Sequence, residues 1–309
     1  MSPSVSIVVL NWNGLRDTLR CLDSLAAAQV SFGKIHIVVI DNGSLVDPRE
    51  DVIKRVPEVD FLRLEHNVGY AAGCNLGAGR ALSRGANFIL FLNNDTVITP
   101  SLFEDLLTCF SRNPEVGIAS PLIYDMSETP RIDFAGGHVN FALGRFRHCR
   151  QRPKEREPFE TGYVSGCCMM ISKTVIDCVG LFDEKLFAYF EDVDLSLRAQ
   201  QAGFKTVCVP STSIKHAGSA STRRNLNQGT ISPLKHYLIA RNRAVIVERY
   251  ASQLAKWFHT LITNQVRIVF YVTAFVLRGR WSKLRWFLRG ISDGVRCNLN
   301  LPAQLDSTP

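Results

Sequence analysis

Short amides and carboxylates follow three apolar runs in the first third of the chain. Asn11-Trp12-Asn13-Gly14 follows VSIVVL, Asp41-Asn42-Gly43-Ser44 follows HIVVI, and Asn93-Asn94-Asp95 follows FILFL. One such group alone is typical of a turn, because Asn, Asp, Gly and Ser form turns for local reasons. Three groups that end strands of one parallel sheet favour a binding site, since ligands bind beyond the carboxyl ends of such strands.

The sequence lacks the usual glycine-rich phosphate loops. Gly33-Lys34 is followed by Ile35, which excludes a GxxxxGK[ST] loop, and the glycines at 69, 73, 77 and 79 do not form GxGxxG. A bound diphosphate would therefore need another source of positive charge, and Mg²⁺ or Mn²⁺ held by a carboxylate supplies it. Asp95, at a strand end, is the best candidate for that carboxylate.

A second acidic group and one histidine complete the set of candidates. Glu191-Asp192-Val193-Asp194 opens a segment with helical spacing directly after the aromatic stretch FAYF. Acids in a first helical turn also suit the helix dipole, yet a carboxylate beside a sugar hydroxyl can accept its proton during attack. His216 follows a strand-like segment and is either a structural residue or a nitrogen ligand for the cation.

The elements that must position these residues alternate between strand and helix. The predicted strands cover 5–10, 36–40, 61–64, 88–92, 116–120 and 205–209, and the predicted helices cover 15–25, 71–83, 101–111 and 191–201. This alternation predicts right-handed crossovers and a mostly parallel sheet covered by helices. The stretch 124–160 has few long apolar runs, and the pattern from 233 to 297 is helical with a break near Arg278-Gly279.

Composition indicates a folded protein with reduced cysteine thiols and an uneven distribution of charge along the chain. Of the 309 residues, 46% are apolar and 21% are charged, which excludes a mainly disordered chain. The nine cysteines include no CxxC pair, so a zinc ribbon and a thioredoxin-like site have no support. Residues 243–296 carry ten Lys and Arg against two acids, and this stretch accounts for the whole net charge of +8.

The basic stretch 243–296 also contains three of the four tryptophans. A basic segment with tryptophans is typical of contact with anionic lipid headgroups, and the alternative is a solvated helical face packed on the main domain. Its most apolar window, 257–277, has Asn264, Gln265 and Arg267 near the middle. These polar residues favour a helix that lies at the membrane surface, or against the globular body, over one that spans the membrane.

In this order, the motifs resemble the inverting GT-A glycosyltransferases of family 2, specifically their bacterial rhamnosyltransferase-like branch. The resemblance runs from Val5 to about Asn242, and each motif is weak alone but specific in combination with the others. The matching pieces are VSIVVLNWNG, DNGS, NVGYAAGCNLG, FLNNDT, GYVSGCCMMI, FDEKLFAYFEDVDLSLRAQQAGF, KHAGSAS and YLIARNR. The implied fold is α/β of the GT-A type, a Rossmann-like and mostly parallel sheet flanked by helices, with a helical C-terminal extension.

The resemblance also implies a role for each candidate residue. Asp192 would be the general base with Glu191 beside it, and Asp95 and His216 would bind Mg²⁺ or Mn²⁺. The family's metal motif is Asp-any-Asp, and Asn93 stands where the first acid would be, so one carboxylate ligand is expected. The expected nucleotide-sugar-binding residues are Asn11, Asn13, Asp41, Asn67, Gly73, Asn75, Asn93 and Asn94.

The implied reaction moves a sugar, with dTDP-rhamnose as the branch's usual donor, from a nucleotide diphosphate to a hydroxyl with inversion. The acceptor would be a glycan or lipid-linked glycan in cell-surface polysaccharide biosynthesis, at the cytoplasmic face of the plasma membrane, with no nucleic acid partner. We expect a catalytic domain over 1–232, with a nucleotide-binding half to 123 and an acceptor half from 124, and a basic helical extension over 233–309.

Two other functions stay open at the level of the sequence. A sugar-1-phosphate nucleotidyltransferase shares the strand–helix order, but it would need a glycine-rich, basic loop after the first strand, which 11–16 does not supply. A non-catalytic membrane-binding or polyanion-binding protein would use the basic stretch 243–296. It would leave Asp95, Asp192 and His216 without a role.

Overall fold

The computed structural model describes residues 4–28, 35–218 and 232–302. The chain forms two compact units. The second unit takes two short stretches from the region predicted as the catalytic domain, in addition to the C-terminal helices. The first unit consists of Met1–His138, His148–Glu184 and Asp192–Gly218, and the second of Val139–Arg147, Lys185–Glu191 and Ser219–Pro309.

A ten-stranded mixed sheet organises the first unit, and a separate pair of short strands, β8 and β9, forms a second sheet. The strands are β1 (Val5–Asn11), β2 (Ile35–Asp41), β3 (Asp60–Arg63), β4 (Phe88–Asn93), β5 (Thr96–Ile98), β6 (Val116–Asp125), β7 (Ile132–Phe134), β8 (Gly137–Asn140), β9 (Arg145–His148), β10 (Phe159–Glu160), β11 (Cys168–Ser172) and β12 (Lys205–His216). The large sheet has the order β10-β12-β6-β11-β4-β1-β2-β3, with β5 beside β12 and β7 beside β6.

Strand direction confirms the mostly parallel sheet. β1 runs parallel to β2 and β4, β2 runs parallel to β3, and β6 runs parallel to β12. β11 lies antiparallel between β4 and β6, which brings the residues just before Cys168 to the end of β4. The carboxyl ends of β1, β2 and β4 therefore lie side by side.

Helices of the first unit follow the predicted alternation closely. Four of them begin and end within about two residues of the prediction, whereas α2 and α5 are short helices that the pattern did not predict. The helices are α1 (Leu15–Ala26), α2 (Arg49–Arg55), α3 (Tyr70–Ser83), α4 (Leu102–Arg112), α5 (Lys173–Val179) and α6 (Glu191–Gln201).

Close packing of α3 against β1 explains the glycines and alanines of that helix. Val8 is fully buried, and a Cβ added at Gly77 would collide with its side chain. A Cβ at Gly73 would collide with Leu10 in the same way. Because only glycine leaves room for this contact, the two positions fix the distance between helix and strand.

The second unit is helical, as the pattern from 233 to 297 predicts. The predicted break is confirmed at Gly279, where φ is +59°, and a further break lies at Ala251. Ser232 and Ser252 cap the first two helices by accepting hydrogen bonds from Lys235 N and Ala255 N. The helices are α7 (Pro233–Tyr250), α8 (Gln253–Phe258), α9 (Asn264–Leu277) and α10 (Trp281–Val295), and a π-helical turn, His259–Thr263, joins α8 to α9.

Candidate active site

The ends of β1, β2 and β4 meet in a buried hydrogen-bonded network around Asn11. Asn11 Nδ2 donates to Asp41 Oδ1 at 2.7 Å, and Asn11 Oδ1 accepts from Thr18 Oγ1 at 2.8 Å. Asn94 Nδ2 donates to the same threonine oxygen at 2.9 Å. The predicted convergence of the three strand ends is therefore confirmed, and the parallel pairing of β1 with both neighbours is its cause.

Asp41 lies at the centre of this network and is fully buried. Its Oδ1 accepts from Ser44 Oγ at 2.5 Å, and its Oδ2 lies 3.4 Å from Arg63 Nε. Ser44 Oγ also accepts from Asn13 N at 2.8 Å. Gly43 makes this turn possible with a φ of +72°, a conformation that favours glycine. The carboxylate thus fixes the loops after β1 and β2.

Three of the other expected nucleotide-binding residues occupy different places. Asn67 Oδ1 accepts from Asn42 Nδ2 at 3.0 Å, which ties it to the turn after β2. Asn75 Nδ2 donates to Phe182 O at 2.9 Å, and its Oδ1 accepts from Phe182 N at 3.1 Å. Gly73 packs against β1. The structure therefore brings Asn67 to the strand-end network and places Gly73 and Asn75 along α3.

Asp95 and His216 lie against each other, as the cation hypothesis requires. His216 is the last residue of β12 and pairs with Thr96 in the sheet. Its Nε2 is 3.1 Å from Asp95 Oδ1, and the two side chains remain 17% and 14% exposed. Burial alone would lower the pKa of His216, but the sulfur of Cys167 and the Asp95 carboxylate raise that pKa to about 11.

Gly166 and Cys167 connect this pair to Asp192. Cys167 O accepts from Asn93 N at 2.9 Å, and the Cys167 side chain is hydrogen-bonded to His216. One residue earlier, Gly166 N donates to Asp192 Oδ2 at 2.9 Å. Burial raises the pKa of the Cys167 thiol to about 11. Two consecutive residues therefore span from the Asp95–His216 pair to the Asp192 carboxylate.

Asp192 lies in the first turn of α6 and is partly exposed. Its Oδ1 accepts from Val193 N at 2.8 Å. Burial raises the pKa of Asp192, and the hydrogen bonds from Gly166 N and Val193 N oppose that rise. A Cβ added at Gly166 would lie 3.3 Å from Asp192 Cβ, so glycine leaves the carboxylate room. Glu191, which opens α6, is 7% exposed.

The Asp95–His216 pair offers one carboxylate and one imidazole, which suits a cation that takes its other ligands from phosphate and water. Within residues 4–28, 35–218 and 232–302, no group of three or more His, Cys, Asp or Glu side chains is arranged to hold a metal ion. Mg²⁺ and Mn²⁺ accept such a sparse site, since Mg²⁺ commonly binds one or two carboxylates plus substrate phosphates and water. A bound cation would take the place of the proton between His216 and Asp95.

Sequence reasoning missed several residues that shape the site. Asn42 and Ser44 stand inside the DNGS motif and Cys167 inside GYVSGCCMMI, so the motifs marked their segments without marking their roles. Thr18 in a helix and Arg63 in a strand carried no signal, because both residue types are ordinary there. Ser221, in the KHAGSAS motif, lies outside the described residues.

Comparison with known proteins gives matches over most of the chain. The model of the family "Glycosyl transferase family 2" matches residues 6–180. An N-acetylglucosaminyl-diphospho-decaprenol L-rhamnosyltransferase of Mycobacterium tuberculosis is 31% identical over 217 residues, which are 62% of this chain and 69% of that protein. The dTDP-rhamnosyl transferase RfbF of Shigella flexneri is 23% identical over 310 residues, covering 96% of this chain and 100% of that protein.

Solved structures show the same fold. A mannosyltransferase from Pyrobaculum calidifontis, in complex with GDP-Man and Mn²⁺, superposes with a TM-score of 0.59 at 12% identity and covers 96% of this chain and 88% of that chain. The GT-A expectation for the fold is therefore confirmed. These comparisons favour glycosyl transfer over the nucleotidyltransferase and the non-catalytic alternatives.

Proposed function

The chain belongs to glycosyl transferase family 2, in its rhamnosyltransferase-like branch, and from this premise we propose a reaction. It moves a sugar from a nucleotide diphosphate-sugar to a hydroxyl of a glycan or lipid-linked glycan, with inversion at the anomeric carbon. The observation that carries the proposal is the Gly166–Cys167 link between the Asp192 carboxylate and the Asp95–His216 pair.

Asp192 is the general base of this proposal. Its pKa is raised by burial, so the carboxylate accepts a proton more readily than an ordinary aspartate does. It takes the proton of the acceptor hydroxyl while that oxygen attacks the anomeric carbon from the face opposite the diphosphate. Attack from that face inverts the anomeric configuration. Glu191 stands beside the base in the sequence, at the start of the same helix.

Asp95 and His216 are the proposed protein ligands of Mg²⁺ or Mn²⁺. When bound, the cation would neutralise negative charge that develops on the departing diphosphate. The Mn²⁺ named with the Pyrobaculum calidifontis mannosyltransferase supports a divalent metal. His216 Nε2 lies 3.1 Å from Asp95 Oδ1, so the histidine restrains the carboxylate that would bind the cation.

The nucleotide is proposed to lie on the loops that Asn11, Asn13, Asp41, Asn67 and Asn94 hold together. Leu45 is 69% exposed and Trp12 is 36% exposed, and both stand on these loops. Exposed apolar and aromatic surface of this kind suits the face of a nucleotide base. The buried Asp41 would act by keeping the loops in place.

Rhamnose is the proposed sugar and a lipid-linked glycan the proposed acceptor. The names of the two relatives, a diphospho-decaprenol L-rhamnosyltransferase and a dTDP-rhamnosyl transferase, support both choices. On this proposal the catalytic domain covers 1–232, and the extension 233–309 holds it at the cytoplasmic face of the membrane. Cell-surface polysaccharide biosynthesis is the process that uses such a reaction.

The segment from Gln253 to Leu277 supports the membrane contact, because ten of its apolar side chains are exposed, whereas Phe275 is buried in its own unit. It is long and apolar enough to cross a bilayer by length and composition, and only 11% of its most apolar window is buried. The exposed side chains are Leu254, Trp257, Phe258, Leu261, Ile262, Val266, Val269, Phe270, Val276 and Leu277.

Two polar side chains of this segment form hydrogen bonds with the stretch Val139–Arg147 of the same unit. Thr263 Oγ1 donates to Ala142 O at 2.9 Å, and Arg267 donates to Leu143 O at 3.2 Å. This arrangement suits a helix that lies in the lipid interface, since spanning would carry these polar contacts into hydrocarbon. Exposed Arg278, Arg285 and Arg289 beyond it match anionic headgroups.

Sedimentation with vesicles tests the membrane contact. Full-length protein should pellet with phosphatidylcholine vesicles that contain phosphatidylglycerol, and the double variant Val269→Glu/Phe270→Glu should remain in solution. Ile53→Glu, which changes an exposed apolar residue of α2, is the matched control and should pellet like the parent protein. Equal pelleting of the double variant and the control would show that this segment does not bind the membrane.

A donor panel tests the reaction itself. The purified chain is incubated with Mn²⁺, an acceptor extract and dTDP-rhamnose or a UDP- or GDP-sugar, and released nucleoside diphosphate and pyrophosphate are both measured. The proposal predicts acceptor-dependent release of the nucleoside diphosphate, with dTDP-rhamnose the best donor. Release of pyrophosphate, or turnover with none of the donors, would contradict it.

A further inference from the structure

The loop directly before Glu191 and Asp192 has an uncommon backbone. Phe187, Tyr189 and Phe190 have φ values of +65°, +69° and +72°. Side chains other than glycine rarely adopt this left-handed region, and bulky aromatic ones least of all. Such a run persists only where neighbouring groups hold it in place, so the loop needs a restraint from elsewhere in its unit.

The Asn242 side chain supplies that restraint from α7. It is fully buried, and its Nδ2 donates to Leu186 O at 2.9 Å, Ala188 O at 3.0 Å and Tyr189 O at 2.7 Å. Carbonyl oxygens that are removed from water need hydrogen-bond donors, and Leu186 O also accepts one from Ala188 N at 2.8 Å. One amide nitrogen, which carries two hydrogens, is therefore shared among three carbonyls of the loop.

Arg241 fixes the orientation of this amide and holds the loop's other end. Its Nε donates to Asn242 Oδ1 at 2.8 Å. Since guanidinium groups only donate and carbonyls only accept, both partners of Asn242 agree on which side carries its nitrogen. Arg241 is also fully buried, and its Nη2 donates to Lys185 O and Leu186 O, each at 3.0 Å.

We infer that Arg241 and Asn242 are positioning residues for the reaction: they lock the loop 186–190 in the backbone from which α6 begins. α6 begins with Glu191 and Asp192. The backbone of the loop therefore determines where the helix that carries the proposed base begins. The inference rests on the proposed function, because it assigns Asp192 the role of base.

Kinetics of Asn242→Asp test this inference, with Asn298→Asp at an exposed position as the matched control. Aspartate keeps the shape of the side chain but replaces the donating nitrogen with an oxygen that faces three carbonyls. Displacement of a reacting group by about 1 Å can cost on the order of 100-fold in rate, so kcat should fall by about that factor. KM for the nucleotide sugar and its Kd should stay within about twofold, since the strand-end network is elsewhere in the chain.

A second variant and a hydrogen-exchange measurement distinguish a positioning role of these residues from a simple loss of the fold. If Asn242→Asp does not fold, Arg241→Lys replaces it, because lysine keeps the charge but lacks the Nε that orients the amide. The inference then predicts a kcat about tenfold lower at unchanged donor Kd, with faster hydrogen exchange at 187–190. Wild-type kcat in a folded variant, or failure of both variants to fold, overturns it.

Asp192→Asn keeps this test distinct from the proposed function. If Asp192→Asn is inactive while Asn242→Asp turns over like the parent protein, only the positioning inference is wrong. If Asp192→Asn itself retains full turnover, the assignment of the base is wrong, and the positioning inference is overturned along with it.

Discussion

Two aspartates of the first unit show how surroundings divide identical side chains between different tasks. Asp41 is fully buried, accepts hydrogen bonds from Asn11 and Ser44, and lies beside the guanidinium of Arg63. Asp192 is partly exposed and accepts from the backbone N–H groups of Gly166 and Val193, and burial raises its pKa. Asp41 is thus held by side-chain donors and the Arg63 guanidinium, whereas Asp192 is the carboxylate that takes a proton in the proposed function.

The largest expected effect is that of Asp192→Asn on turnover. A general base contributes on the order of 100-fold to 10,000-fold to rate, so kcat should fall by about that range while nucleotide-sugar binding is retained. The global fold should hold, because the amide replaces a carboxylate whose burial disfavours charge. Steady-state kinetics and calorimetric binding measure the two quantities. Asp177→Asn, at an exposed carboxylate on α5, is the control, and near-parent kcat in Asp192→Asn would contradict the comparison.

Asp41→Asn should act mainly on the stability of the folded protein. The amide loses the ion pair with Arg63 and places a donor against Asn11, which should lower the free energy of unfolding by about 1–3 kcal/mol. Asp47→Asn is the matched control, because Asp47 lies 2.8 Å from the same guanidinium but is 44% exposed. Exposed ion pairs contribute little to stability, so Asp47→Asn should unfold close to the parent protein. Urea unfolding of both variants checks the difference, and equal losses would show that burial does not separate them.

Asp95→Asn extends the comparison to a third carboxylate. Since Asp95 is the proposed protein anchor of the cation, the Mn²⁺ concentration for half-maximal activity should rise about tenfold or more. Turnover at saturating Mn²⁺ should recover in part. Titration of Mn²⁺ after removal of metal with a chelator measures this. Full activity of the parent protein in the chelator would show that the Asp95–His216 pair binds no metal that the reaction needs.

The smallest expected effect concerns pH. Because burial raises the pKa of Asp192, kcat/KM should fall on acidification at a pH above that at which an ordinary aspartate titrates. The free energy of unfolding depends on pH in the opposite direction, since the folded protein binds this proton more tightly than the unfolded chain does. The contribution of Asp192 to stability is therefore present at low pH and is lost as pH rises through its folded pKa. pH profiles of kcat/KM for the parent protein and Asp41→Asn should share the same acid limb; a limb that moved with Asp41 would reverse the assignment.

Sequence patterns predicted most of the first unit because its signals are local. Runs rich in β-branched residues predicted β1 and β2, the apolar run FILFL predicted β4, and helical spacing predicted α6 with its observed ends. The insertion of β11 between β4 and β6 was not predictable, since strand pairing joins distant segments and leaves no period in the sequence. The short α2 and α5 were missed because one or two turns give too few periods to recognise.

The candidate site was predictable as a set of residues and not as a set of roles. Strand order brought Asn11, Asp41 and Asn94 together as expected. The burial of Asp41 and the backbone N–H that Gly166 donates to Asp192 depend on tertiary packing, which a motif does not encode. Asn242 gave no signal of its own, because one buried amide in a helix is told apart from a surface amide only by its partners.

A crystal structure with Mn²⁺ and a nucleoside diphosphate tests the central claim most directly. The anomalous signal of the metal locates Mn²⁺ independently of the interpretation of the protein density. The account predicts Mn²⁺ between the diphosphate and the Asp95 carboxylate, beside His216, with the Asp192 carboxylate facing the same cavity. Mn²⁺ bound away from Asp95, or an Asp192 carboxylate directed away from the diphosphate, would contradict it.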